Sequence, residues 1–225
     1  MKIAVFGTGM VGQAHAGRLA ELGHEVVVGT HDVEKTLQKD QPDMMGNPPY
    51  KTWQESHPSV RLVTFAEAAA HGEMIFAALH GEGAVELLKS VENELGSKVL
   101  IDITNPLDFS KGMPPTLFVC NDNSLGEEIQ KALPQVRVVK AFNTLTASLQ
   151  VNPQELAGGD HTLFMCGNEA TAKQEVQKMA EAYGWTDIVD LGDITNARGT
   201  EMLLPFWLRA WGALKTANFN YKIVR

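Results

Sequence analysis

The sequence has little cysteine. Its two cysteines, Cys120 and Cys166, lie far apart and form no C-x-x-C pattern. A redox dithiol needs two closely spaced cysteines and a structural zinc site needs several such ligands, so neither chemistry is expected. Both residues stand among apolar neighbours, and we expect both to be buried.

Long hydrophobic runs are also absent. The longest apolar stretches are far shorter than the roughly 20 residues that cross a bilayer. The N-terminal segment carries only Lys2 before an apolar strand and a glycine-rich loop, which is unlike a secretory signal. The sequence therefore predicts a cytoplasmic protein with no membrane partner.

Positive charge is in the minority. The chain has 19 Lys and Arg against 27 Asp and Glu, which gives a formal net charge of −8. Nucleic acids and anionic membranes bind basic surfaces, so the charge disfavours both as partners, although a local phosphate pocket stays possible. A chain of 225 residues, 44% hydrophobic, can bury one core, with or without a small lobe.

Several catalytic motifs are missing as well. The sequence has no G-x-S-x-G elbow, no H-E-x-x-H motif and no pair of carboxylates on one helical face. These absences give no support to serine-nucleophile, zinc-hydrolase or paired-carboxylate chemistry. No metal site is predicted.

A glycine motif is the strongest positive signal. The apolar run at residues 3–6 leads into G-x-G-x-x-G and then into helical spacing. In a dinucleotide-binding unit the three glycines allow a tight turn, close approach of the pyrophosphate, and close packing of helix on strand. The predicted pyrophosphate-binding residues are Gly7, Thr8, Gly9, Met10, Val11 and Gly12. A structural turn without a nucleotide is the alternative.

The following helix is predicted to pack on a sheet through small residues. Gly12, Ala16 and Leu19 share one face. His15 and Arg18 are expected on another, polar face.

The end of the second strand bears on the choice of cofactor. NAD-binding sites usually place a carboxylate there for the ribose, and Gly29 takes that place here. Thr30, His31 and Lys35 are predicted to donate to a 2′-phosphate. Asp32 is either the ribose acid or the N-cap of a short helix, and we favour the cap. The expected cofactor is therefore NADP(H).

Alternation of strands and helices predicts an α/β fold of the Rossmann-like, doubly wound type, with a mostly parallel sheet. A dinucleotide-binding domain is expected at residues 1–146, followed by a small C-terminal α/β extension at 147–225 that ends in a helix. Right-handed crossovers bring the loops after the strands to one edge. There the candidates that position the nicotinamide are His80, Asn105, Phe142 and Asn143, and Pro106 is also a predicted cofactor contact.

Local patterns predict further elements. A helix is expected over residues 84–95, an alanine-rich turn over 65–71 and irregular structure over 114–123. Residues 41–58 contain four prolines and are predicted to be a partly structured insertion, with Tyr50 and Trp53 as anchors. The apolar terminal helix is interpreted as closing the core, covering the active site or forming a dimer contact.

The order of motifs resembles one family, the NADP oxidoreductases related to deazaflavin-dependent NADP reductases, whose relatives include the cytosolic domain of six-transmembrane ferric reductases. The matching stretches are KIAVFGTGMVGQAHA, VVVGTHDVEK, LIDITNPL, VVKAFNT and LGDITNARGTEMLLPFWLRAWGA. The resemblance implies hydride transfer between NADP(H) and a small-molecule electron acceptor, such as a flavin or deazaflavin, and a homodimer. The family usually has a small hydroxyl residue and then arginine after the second strand; Thr30 matches the first and His31 replaces the second.

Two other functions stay open. The first is an NADP(H)-binding sensor or partner module without a substrate. The second is a hydroxyacid-type dehydrogenase, because Lys140-x-x-Asn143 has the residue types of its catalytic pair. Those enzymes carry the pair on a long helix that opens a helical domain, and little chain follows Asn143. Lys140 is therefore interpreted as a cation at a strand end.

Overall fold

The computed structural model describes residues 1–42 and 46–225, so residues 43–45 of the predicted insertion lie outside the described residues. The described chain forms an eight-stranded sheet in the order β3-β2-β1-β4-β5-β8-β9-β10 and a separate β6-β7 hairpin. The strands are β1 (Lys2–Phe6), β2 (Glu25–Thr30), β3 (Arg61–Thr64), β4 (Met74–Ala77), β5 (Val99–Asp102), β6 (Leu107–Asp108), β7 (Thr116–Leu117), β8 (Arg137–Ala141), β9 (Thr162–Gly167) and β10 (Asp187–Asp190). The six strands from β3 to β8 are parallel, which confirms the doubly wound fold.

Helices cover both faces of the sheet. They are α1 (Met10–Glu21), α2 (Val33–Leu37), α3 (Tyr50–Ser56), α4 (Phe65–His71), α5 (Ala84–Ser90), α6 (Glu92–Leu95), α7 (Leu125–Ala132), α8 (Ala147–Val151), α9 (Ala170–Tyr183) and α10 (Ala197–Leu214). One core lies between the sheet and helices α1, α3, α8 and α9, and the other lies under α4 to α7 and the start of α10. Strands β1, β4 and β5 read as continuous apolar runs because both of their faces are buried.

The C-terminal part of the chain extends the same sheet. Strand β9 pairs antiparallel with β8, and β10 pairs parallel with β9. The last two strands therefore point away from the edge at which the first six end. The division at residue 146 stays a prediction, since the sheet continues across it.

Three local predictions were wrong. Residues 65–71 form helix α4, because Thr64 and Glu67 complete a capping box at its N-terminus. The helix expected over 84–95 is two helices, because buried Val91 leaves helical geometry at φ −122°. The segment expected to be irregular contains β7, which pairs with β6.

Two buried positions also differ from expectation. His15 lies on the predicted polar face of α1 but is fully buried, because α8 and α9 pack over that face. Its ring nitrogens lie 3.1 Å from the Tyr183 hydroxyl and 2.8 Å from Gln150 Oε1. Cys166 is buried as expected, whereas Cys120 is partly exposed.

The predicted anchors of the insertion are confirmed: Tyr50 is buried and Trp53 packs against the core. After α10 the chain returns along β9, where Thr162 N donates to Tyr221 O at 2.9 Å. Across residues 1–42 and 46–225, no helix combines the length and apolarity needed to span a membrane. In the same ranges no group of three or more His, Cys, Asp or Glu is arranged to hold a metal ion.

Candidate dinucleotide site

The three motif glycines face different surroundings. A Cβ on Gly7 would lie 2.2 Å from Ala78 O, and one on Gly12 would lie 2.0 Å from Gly7 O. A Cβ on Gly9 would meet nothing within 4 Å. The protein's own packing therefore requires the first and third glycines, whereas the second leaves open space beside the turn, as close approach of a ligand requires.

Helix α1 begins at this turn without a capping side chain. Its N-cap is Gly9, and its first turn holds no acidic residue. The loop is braced from within, since Gln13 Nε2 donates to Thr8 O at 2.8 Å. The first amide N–H groups of a helix have no intrahelical acceptor and carry the positive end of its dipole, so this end suits an anion.

Asp32, just after β2, caps the N-terminus of helix α2. Its Oδ1 accepts a hydrogen bond from Lys35 N at 2.9 Å, and Lys35 Nζ lies 3.3 Å from Oδ2. The backbone hydrogen bond from Lys35, with help from its ammonium group, lowers the pKa of Asp32. The predicted N-cap is thus confirmed.

The other residues at the end of β2 have distinct environments. A Cβ on Gly29 would lie 2.9 Å from the ring of Phe65, so packing alone excludes a carboxylate there. Thr30 is buried, and its hydroxyl lies 2.8 Å from the Thr36 hydroxyl, which itself donates to Asp32 O. His31 is exposed and meets Phe65 edge-on at 4.9 Å. His31 and Lys35 are therefore the exposed donors at this corner.

Two asparagines join the ends of β5 and β8. Asn105 Nδ2 donates to Asn143 O, and Asn143 Nδ2 donates to Asn105 Oδ1, both at 2.9 Å. Asn143 Oδ1 is buried and has no hydrogen-bond partner among the described residues. A buried acceptor of this kind is costly to leave unpaired, so it marks a place for a donor such as a carboxamide N–H.

The remaining predicted site residues lie around this pair. Pro106 is buried directly after Asn105, and His80 is exposed in the loop after β4. That loop touches the β5 turn, since a Cβ on Gly81 would lie 2.1 Å from Asn105 O. The Phe142 ring instead points into the core, 5.3 Å from the His15 ring, so its side chain is separated from the edge.

A cavity of about 310 Å³ opens beside the His80 loop and the β6-β7 hairpin. Its walls are partly apolar and partly acidic, formed by Val85, Leu107, Phe118 and Leu125 together with Glu82, Glu86, Asp108 and Glu128. Leu107 directly follows Pro106, so the cavity adjoins the β5 turn.

Sequence reasoning missed a buried ion cluster behind the β5 turn. Lys140 is fully buried, and its Nζ lies 2.9 Å from Asp102 Oδ2 and 2.7 Å from Glu201 Oε1. Lys140 is thus not the strand-end cation that the sequence suggested. Burial alone would lower the pKa of Lys140, but the carboxylates of Asp102 and Glu201 raise it above its ordinary value. Asp102 at the end of an apolar strand and Glu201 inside an apolar helix were the available signals.

Together these features define a Rossmann-type dinucleotide-binding protein whose ligand edge is formed by the ends of parallel strands. The family model described as NADP oxidoreductase coenzyme F420-dependent matches residues 2–106. An F420-dependent NADP reductase from Methanothermobacter marburgensis is 30% identical over 210 residues, covering 91% of this chain and 90% of the relative. The chain belongs to the family of coenzyme F420-dependent NADP oxidoreductases.

Two further comparisons agree with this membership. A crystal structure of a candidate F420-dependent NADP reductase from Arthrobacter sp. FB24 superimposes with a TM-score of 0.96, at 52% identity and full coverage of both chains. The rat metalloreductase STEAP3 is 31% identical over 212 residues, which cover 92% of this chain but 38% of STEAP3. The family resemblance and the prediction of an NADP-dependent oxidoreductase are confirmed.

Proposed function

We propose that the protein binds NADP(H) at the carboxyl edge of its six parallel strands and transfers a hydride between the nicotinamide and a deazaflavin of the coenzyme F420 type. The acceptor is proposed from the activity named for the Methanothermobacter relative. The observation that carries the cofactor proposal is the open space beside Gly9. The corresponding space at the other two glycines of the motif is filled by the protein itself. The uncapped N-terminus of α1 supports it.

The residues of the edge divide by the part of the cofactor that they hold. Residues 7–12 receive the pyrophosphate, and the exposed side chains of His31 and Lys35 face the 2′-phosphate, with Thr30 fixing the turn below them. Asn105 and Asn143 present the acceptor for the carboxamide, while His80, Pro106 and the backbone at Phe142 complete the nicotinamide end. Bound NADPH supplies the hydride. The protein contributes position and exclusion of water, since hydride transfer between two rings needs no side-chain acid.

The cavity beside the β5 turn is the proposed entry for the acceptor. It adjoins the nicotinamide residues through Gly81 and Leu107, and Phe118 offers it an exposed aromatic face. A flat ring needs such an apolar wall in order to stack within hydride-transfer distance of the nicotinamide.

Thermal unfolding with NADPH and with NADH at equal concentration tests the cofactor. Ligand that binds the folded state alone raises the unfolding temperature, so a larger rise with NADPH is expected. Oxidation of NADPH at saturation is then followed with coenzyme F420, a free flavin and a ferric chelate. Turnover with F420 supports the proposal, whereas tight NADPH binding without reduction of any of these acceptors contradicts it and favours a sensor module.

The hydroxyacid dehydrogenase alternative loses its basis in this arrangement. Lys140 lies on strand β8 rather than on a long helix, and two carboxylates neutralise it in the protein interior. A homodimer and a cytoplasmic location, both expected from the sequence and the family resemblance, stay proposals. Exposed apolar side chains on α10, including Phe206, support the homodimer.

A further inference from the structure

The buried ammonium group of Lys140 has a complete set of acceptors. Its Nζ donates to Asp102 Oδ2 at 2.9 Å and to Thr104 O at 2.7 Å, and lies 2.7 Å from Glu201 Oε1. An ammonium group has three protons, so none is left for a ligand. Lys140 therefore acts on its protein neighbours.

The first neighbour is the turn that carries Asn105. Asp102 Oδ1 accepts hydrogen bonds from Thr104 N at 2.9 Å and from the Thr104 hydroxyl at 2.6 Å. Lys140 closes this turn by binding Asp102 and the Thr104 carbonyl at once. Three residues further along its own chain, Asn143 is paired with Asn105. The ends of β5 and β8 are thus joined both at the ion cluster and at the asparagine pair.

The second neighbour is helix α10. Its Glu201 accepts hydrogen bonds from the N–H groups of Leu125 at 2.9 Å and Gly126 at 3.0 Å, in the first turn of α7. The positive end of the α7 dipole thereby balances the extra negative charge of a cluster with two carboxylates and one ammonium group. Through Glu201, the position of α10 is fixed to the same lysine that fixes the β5 turn.

We propose that Lys140 is a positioning residue for the nicotinamide end of the cofactor, which holds Asn105 against Asn143 and, through Glu201, holds α10 in place behind them. A buried ion cluster adds little stability compared with apolar packing of the same volume, but its short directional bonds fix the geometry of the groups they join. The inference rests on the proposed function, because it assumes that the asparagine pair receives the nicotinamide.

Two ligands distinguish binding at the nicotinamide end of the cofactor site from binding at the adenosine end. NADPH carries the nicotinamide, whose fluorescence reports how the ring is held, whereas 2′,5′-ADP carries the adenosine and 2′-phosphate without it. The Lys140→Met variant keeps an unbranched side chain, one atom shorter than that of lysine, and removes the charge. Val139→Ala is the matched control, since Val139 is equally buried on the same strand and belongs to the core on the opposite face of the sheet.

In Lys140→Met we expect the fluorescence enhancement of bound NADPH to fall by about half or more and turnover with coenzyme F420 to fall at least about tenfold, because small errors in reactant geometry are expensive. The dissociation constant for 2′,5′-ADP should stay within about twofold of wild type. Val139→Ala should lose stability while keeping both NADPH fluorescence and 2′,5′-ADP binding.

Glu201→Gln provides a milder variant in case Lys140→Met does not fold. It keeps an acceptor for Lys140 and removes the charge, so the same loss of NADPH fluorescence is expected at smaller size. Unchanged NADPH fluorescence in the folded variants, or an equal loss in Val139→Ala, would overturn the positioning role. If wild-type protein binds 2′,5′-ADP but does not enhance the fluorescence of NADPH, this inference is overturned while the proposed phosphate site stands. If wild-type protein binds neither ligand, the proposed function is overturned as well.

Discussion

His31 is the side chain at which the cofactor corner departs from the family pattern. It is exposed beside the end of β2, while Asp32 is already held by Lys35 and the start of α2. An imidazole carries less positive charge at neutral pH than a guanidinium, which binds phosphate through two parallel hydrogen bonds. The proposed contact with the 2′-phosphate should therefore be stronger with arginine at this position.

The variant His31→Arg should bind NADPH about tenfold more tightly, because a charge-assisted hydrogen bond is worth about 1.5–3 kcal/mol. NADH affinity should change little. Titration of both cofactors by calorimetry checks this. The control is His24→Arg, which adds the same charge at the other end of β2; an equal gain there would mean that net charge, not the 2′-phosphate, is responsible.

His15 is a second residue of interest, because it should make the stability of the protein depend on pH. It is fully buried between Tyr183 and Gln150, and burial lowers its pKa to about 4, against a partial opposing effect of the Gln150 hydrogen bond. The neutral ring is therefore required in the folded state. In the unfolded chain the same residue takes up a proton near pH 6.5.

Because the folded pKa is lowered, the stability from neutral His15 is complete above pH 6.5 and is lost as the pH falls towards 4. Between pH 7 and pH 5 the free energy of unfolding should drop by roughly 2 kcal/mol from this group. Urea unfolding at both pH values measures the drop. It should largely vanish in His15→Gln and persist in His80→Gln, which removes an exposed imidazole; persistence in His15→Gln would assign the drop to other groups.

At the scale of elements, the glycines of the β1-α1 turn differ in whether they are needed for folding or for binding. Gly12→Ala places a Cβ 2.0 Å from Gly7 O, so the free energy of unfolding should fall by roughly 1–3 kcal/mol. Gly9→Ala meets nothing within 4 Å and has φ −77°, so its stability should stay within about 1 kcal/mol of wild type.

For cofactor binding we expect Gly9→Ala to be affected directly, although its stability changes less than that of Gly12→Ala. Gly9→Ala, although well folded, should lose most of the NADPH-induced rise in unfolding temperature, since its methyl group would occupy the space proposed for the pyrophosphate. Denaturant unfolding and thermal shifts on the same two proteins make the comparison. Normal NADPH binding by Gly9→Ala would falsify the cofactor assignment at this turn.

Elements with a local signal were predictable, and those that depend on distant partners were not. The apolar runs of β1, β4 and β5 and the glycine turn are encoded in consecutive residues, so the parallel sheet and its binding edge followed from them. The capping box at Thr64 and Glu67 is an equally local signal, and it marks the start of α4. The antiparallel direction of β9 has no such local signal, because it depends on the path of the chain that connects β8 to β9, in which α8 packs against α1.

The same distinction applies to buried polar residues. The spacing along α1 placed His15 on a polar face, which is correct for a helix covered on one side only. Residues more than 100 positions later cover that face. The partners of Lys140 likewise come from β5 and α10, so its type alone indicated neither its burial nor its role.

At the scale of the whole molecule, α10 leaves apolar surface uncovered. Met202, Phe206 and Leu214 are exposed by 39%, 61% and 57%. The first two are four residues apart and the third follows eight later, so they share one side of the helix. A stripe of this kind marks an interaction surface, and a second copy of the chain is the partner that the family resemblance implies.

The variant Phe206→Glu should convert the proposed homodimer into a monomer, because a charge buried without a partner costs several kcal/mol at each of the two symmetry-related positions. Light scattering coupled to size exclusion should give twice 24.6 kDa for wild type and 24.6 kDa for the variant. Phe109→Glu is the control, since Phe109 is 55% exposed and lies just after β6 rather than on α10. A wild-type monomer at micromolar concentration, or dissociation caused equally by Phe109→Glu, would assign the stripe on α10 another partner.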